Sequence, residues 1–153
     1  MFLTIHSSAG IFIGSQINNP LLAFLLGFVS HLILDMIPHG DEGLGESKSQ
    51  SAKIKKLFLI SSVDLLFVIL LFNYLTSQNL IIFTPAVLAG LLGSLVPDFI
   101  WGLHEITRDR FSGWVSSNIL SRVHDLLKIK VTLLPGLIIQ LATLLTFISL
   151  MIG

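Results

Sequence analysis

The stretch SHLILDMIPHGD, residues 30–41, places His31, Asp35, His39 and Asp41 in or beside one of the most apolar segments of the chain. An ionisable group in such surroundings is costly without a partner, so reading this stretch means finding where its partners come from. His31 and Asp35 are four residues apart and fall on one helical face. Pro38 is expected to end that helix, leaving His39 and Asp41 at its mouth.

The surrounding chain is of the same character. Of 153 residues, 53% are hydrophobic and only 12% charged, against roughly 25% charged in an ordinary soluble domain. Mean hydropathy is +0.88. Apolar runs cover residues 2–17, 20–37, 56–76, 85–103 and 131–152. A bilayer core about 30 Å thick needs about 20 residues of helix, whereas a membrane strand needs only about 9–11. The runs therefore predict an all-α polytopic membrane helix bundle of about five transmembrane helices, the first one short, forming a single domain over residues 1–153. Asn19–Pro20 and Thr84–Pro85 are suited to helix starts. Residues 40–55 are rich in Gly, Ser and charge and predict a mobile connector. Residues 105–130 alternate apolar and basic positions at helical spacing, with Trp101 and Trp114 as interfacial anchors, and predict an amphipathic helix on the cytoplasmic side.

Charge fixes orientation and excludes one class of partner. The nine Lys and Arg residues lie only between Lys48 and Lys56 and between Arg108 and Lys130, and net charge is zero. This pattern fits cytoplasmic loops and gives no face for nucleic acid. The lipid bilayer is the partner that composition indicates, and oligomeric state is not legible. With no cysteine, thiolate metal sites and cysteine nucleophiles are excluded. The opening MFLTIHSSAGIFIG has no basic n-region and carries a histidine in its apolar run, so it is expected to be retained rather than cleaved.

His6, His31, Asp35, Asp64 and Asp98 lie inside apolar runs, and the five-span topology brings all of them to similar depth near the cytoplasmic face. Imidazole and carboxylate without thiolate suit Zn²⁺, and also Mn²⁺ or Fe²⁺. The expected metal positions are His6, His31, Asp35 and Asp98, with His39 supporting and Asp64 as the general base. His104 stands as a rim candidate, and His124 beside Asp125 as a solvated one. Each group also has a plainer role open to it: His6 as an interhelical hydrogen-bonder, His31–Asp35 as a structural pair, Asp64 bonded to Ser61 or another helix, and Asp98 as the N-cap of a new short helix. Small residues, including Gly10, Gly14, Gly27, Ala86, Ala89, Gly90, Gly93 and Ser94, favour close helix approach around the cluster.

TIHSSAGIFIG, GFVSHLILDMIPHGD and GLLGSLVPDFIWG together resemble the membrane-bound metal-dependent hydrolase family of small prokaryotic inner-membrane proteins, of which this chain looks like a short, divergent member. The resemblance spans roughly residues 4–104 and is most specific at His31, Asp35 and Pro38. It implies a metal site at the positions above and a location in the prokaryotic cytoplasmic membrane. The expectation that follows is hydrolysis of an ester or phosphoester, lipid-like in character, by a metal-activated water. Two other functions use the same residues: a proton or ion relay or transporter component, and a non-catalytic membrane scaffold.

Overall fold

The computed structural model describes residues 1–41, 43–44, 47–107 and 131–153. Among them are five helices and no strand: α1 (Leu3–Gln16), α2 (Pro20–Asp35), α3 (Gln50–Ser77), α4 (Pro85–Thr107) and α5 (Leu133–Ile152). Helix starts follow local chemistry. The Asn19 side chain accepts from Leu22 N and Pro20 stands in the first turn of α2, while Thr84 Oγ1 accepts from Val87 N ahead of α4.

Three stretches, Gln50–Ser77, Pro85–Leu103 and Leu133–Ile152, are long and apolar enough to cross a membrane. The other two helices are shorter, with 14 residues in α1 and 16 in α2. At about 1.5 Å per residue, neither reaches the about 30 Å of a hydrocarbon core. Leu21, Phe58, Ile82 and Leu134 are among many large apolar side chains left on the outside, as expected where the surrounding solvent is as apolar as the side chain.

The centre of the molecule is α4 packed against α1 and α2. Glycine makes this possible by letting backbones meet: a Cβ on Gly10 or on Gly27 would strike the Gly90 carbonyl, and one on Gly90 would strike that of Gly10. A second layer of apolar side chains, including Leu3, Ile11, Val68, Leu75 and Leu91, joins α1, α3 and α4. Helices α3 and α5 lean mainly on α1.

Two expectations are adjusted. The connector over residues 40–55 is helical from Gln50 onward, because Ser49 accepts from Ala52 N and the following QSAKIKK contains good helix formers. Asp98 does not cap a new helix, since α4 runs unbroken through Pro97 to Thr107. Of the expected amphipathic segment, residues 105–107 continue α4, and the remainder, with His124, lies outside the described residues.

Candidate metal centre

Four of the five expected metal positions converge. His6 from α1 and His31 from α2 are fully buried, and their rings stack with centroids 3.8 Å apart at 20°. Asp35, also fully buried, bridges them: Oδ1 lies 3.2 Å from His6 Nε2 and Oδ2 lies 3.1 Å from His31 Nε2. Asp98 of α4 completes the group, with Oδ1 3.9 Å from His31 Nε2. One ligand atom from each of His6, His31 and Asp98 falls within 4.8 Å of the others.

The backbone of α4 sets the orientation of one ring. His31 Nδ1 lies 2.8 Å from the Ser94 carbonyl oxygen, which can only accept, so Nδ1 carries the proton and donates it. Pro97 lies within α4 three residues on, and its missing N–H removes the helical partner of the Gly93 carbonyl next to Ser94. In the neutral imidazole, Nε2 is therefore the acceptor nitrogen, turned toward the Asp35 and Asp98 carboxylates. Acceptor facing acceptor is repulsive, and the arrangement calls for a cation between them, either a proton or a metal ion. A ring fixed by Nδ1–H to a carbonyl, with Nε2 turned inward, is also the usual second-sphere geometry of a metal-binding histidine.

His6 supports the same conclusion. Its Nε2 stands 3.2 Å from Asp35 Oδ1 and its Nδ1 is buried without a hydrogen bond, a costly state that ligation of an ion would relieve. The 3.1 and 3.2 Å separations of Asp35 from the two rings are hydrogen-bond distances, while the ligand atoms of His6, His31 and Asp98 stand within 4.8 Å of one another. The donor set thus fits a divalent metal, with nitrogen and oxygen ligands and no sulfur.

The remaining expected positions have other neighbours. His39 is buried, its Nδ1 bonded to the Ile37 carbonyl at 2.8 Å and its Nε2 3.2 Å from Asp41 Oδ1. Asp64 reaches across from α3 to the start of α1, where it accepts from Leu3 N, Thr4 N and Thr4 Oγ1. The Leu3 and Thr4 amides are orphan donors of the first turn of α1, which has no side-chain cap of its own. Asp64 is therefore the cap of α1, supplied by another helix. The Met1 amino group stands 3.1 Å from Asp35 Oδ1 and 3.7 Å from Asp41 Oδ2. Burial alone would lower its pKa, but Asp35, Asp41 and Asp98 outweigh that and hold it above the usual value.

One residue that supports the site escaped the sequence reading. Gln140, buried in α5, donates to the His39 carbonyl at 2.7 Å and accepts from Phe2 N at 2.9 Å. Beside it the chain turns at Gly40, whose φ is 71°, against Thr132 and Gly136 of the α5 start. The available signal was a lone amide in an otherwise apolar run, which needs a buried partner just as a carboxylate does.

The fold and cluster define a class: an α-helical protein with three span-like helices and a buried His/Asp group able to hold a cation. No family model matches the chain, and neither a curated protein nor a solved structure matches it significantly.

Proposed function

We propose that this is an integral membrane protein whose five helices all enter the bilayer, and that it binds one divalent transition metal, zinc by preference, near the cytoplasmic face. In this reading the metal serves hydrolysis of an ester or phosphoester in a lipid-like molecule, in keeping with the resemblance to membrane-bound metal-dependent hydrolases. The observation that carries the metal is His31, whose Nδ1–H is held by the Ser94 carbonyl while its Nε2 faces Asp35 and Asp98.

His6, His31 and Asp98 are the proposed ligands. When bound there, a divalent ion supplies an acidified water and polarises the oxygen of the scissile group. The protein's own contribution is positional. Ser94 fixes one imidazole; Asp35, with one oxygen toward each ring, is placed to receive and return a proton. Asp64, first expected as the base, holds the α1 start and with it the depth of His6.

A proton relay is the second reading, favoured by the same 3.1 Å Asp35–His31 approach, since a proton neutralises facing acceptors as a metal does. Metal analysis of the protein purified in mild detergent separates the two. About one equivalent of transition metal per chain is expected, and less than about 0.2 equivalents after reloading would overturn the metal reading. Metal-free protein that moves protons into liposomes, with the flux lost in Asp35→Asn, would establish the relay instead.

A further inference from the structure

A cavity of about 570 Å³ lies between α3 and α4 beside the candidate metal centre. It exists because α3 leans on α1 while α4 leans on α1 and α2, leaving little direct contact between α3 and α4. Along α3 the cleft runs from Ile54 to Asp64, about 15 Å at about 1.5 Å per residue. Its outer end adjoins Lys53, Lys55 and Lys56, which the positive-inside rule assigns to the cytoplasm. Its inner end is charged, lined by Asp41, Asp64 and Asp98 together with His39 and Met1.

Asp98 joins this space to the buried cluster. The side chains of His6, His31 and Asp35 are at most 1% exposed, whereas that of Asp98 is 25% exposed. Its carboxylate therefore belongs both to the cation-binding group and to the wall of the cleft. The charge facing the cleft is net negative, since three carboxylates stand against the one Met1 ammonium, itself held by Asp35 and Asp41. Asp64 accepts from two amides and a hydroxyl, neutral donors that do not cancel its charge. Among the described residues no lysine or arginine lines the cleft.

We propose that this cleft is a water-filled, cation-selective entrance from the cytoplasmic side to the buried His/Asp cluster, and that Asp98 is the residue through which a hydrated divalent ion passes inward. The inference rests on the metal reading above and adds the route to it. A cavity walled only by side chains such as Leu57, Phe58, Phe99 and Leu103 would stay dry, and the charged inner end is what anchors water in it. Acids at membrane depth characteristically face such water-filled cavities. Charge of one sign between low-dielectric walls concentrates counter-ions and speeds their arrival. The arriving ion exchanges a water for Asp98 first. His31, with Nε2 3.9 Å from Asp98 Oδ1, takes it next.

The chain has no cysteine, so a single introduced thiol reports on the cleft alone. Gly102 lines it, and a Cβ there meets nothing within 4 Å. Full-length Gly102→Cys in sealed membrane vesicles of either orientation is treated with a cationic or an anionic methanethiosulfonate of similar size. From the cytoplasmic side the cationic reagent should react about tenfold or more faster than from the opposite side, and faster than with Leu141→Cys on the outer surface of α5. Relative to a free thiol in solution it should outpace the anionic reagent by about fivefold or more, and Asp98→Asn should cut that preference by about half or more. A neutral benzyl adduct on the same thiol should slow zinc uptake and zinc release to a chelator by about tenfold each and leave affinity within about twofold, because obstructing a route changes both rates alike.

Equal reaction from the two sides, or reaction no faster than at Leu141→Cys, would overturn the entrance. An anionic reagent that keeps pace would overturn its selectivity, and a preference unchanged in Asp98→Asn would remove that residue from its inner end. Zinc rates untouched by the adduct would overturn the route. Should the wild-type protein bind no zinc, the metal reading falls and the thiol reactions alone decide the entrance. Ser61→Cys, from the α3 wall, takes the place of Gly102→Cys if circular dichroism shows the latter to be unfolded.

Discussion

Helices α1 and α5 are both apolar and adjacent in space, yet they are built on opposite terms. In α1 nine residues are buried, among them His6, Ser7, Ser8, Gly10 and Gly14; in α5 only Gly136 and Gln140 are. The first is held by backbone-close contacts and polar bonds, the second chiefly by one amide and one glycine against the 39–40 turn. In a bilayer, apolar side chains gain little by leaving lipid for protein, so hydropathy alone does not attach a helix. What attaches it is small residues and hydrogen bonds. The larger contrast between the α1–α2–α4 centre and the outer α3 and α5 follows the same rule.

The largest effect should come from breaking the centre. Gly90→Leu would drive a side chain into the Gly10 backbone and should cost about 3 kcal/mol or more, seen as aggregation or a lowered melting transition in detergent. Gly102→Ala, in open space, should melt as the parent does. Next comes the proposed metal site: His31→Ala, a proposed ligand, should lower metal affinity by about 100-fold or more, and Asp35→Asn, beside both rings, by about 10- to 100-fold, measured by competition with a chromogenic chelator. Identical metal retention in both variants would move the site elsewhere.

Asp64→Ala should then cost about 2 kcal/mol by stripping the acceptor from the first turn of α1. Asp64→Asn, which keeps one acceptor, should recover part of that loss. If Asp64→Asn instead abolished hydrolysis with melting unchanged, Asp64 would be the base and not the cap. At the outer helix, Gln140→Leu should cost about 1–2 kcal/mol by orphaning Phe2 N and the His39 carbonyl. Leu134→Ala, on a side chain 71% exposed, should change stability by less than about 0.5 kcal/mol, which completes the scale.

Much of the site was legible because burying charge is restrictive. His6, His31, Asp35 and Asp98 stood out as ionisable groups in apolar runs, and they do converge. Their convergence was foreshadowed by small residues at the positions where α1, α2 and α4 meet. Asp64 shared the same signal, and its place inside an apolar run could not show that its partners are backbone amides of another helix. The same difficulty hid Ser94, whose contribution is a main-chain carbonyl and carries no side-chain signature.

Composition and spacing by themselves determined an all-helical chain, the approximate limits of its helices, and the face shared by His31 and Asp35, because helix periodicity and the cost of stranded charge act within a segment. Tertiary structure alone decided that Asp35 bridges two imidazoles, that Asp64 caps α1, that Gln140 joins the α1 start to the 39–40 turn, and that α3 and α4 part to leave a cleft. Those outcomes depend on how helices distant in sequence are set against each other, and each is fixed by where a backbone can approach closely enough for a buried polar group to find its partner.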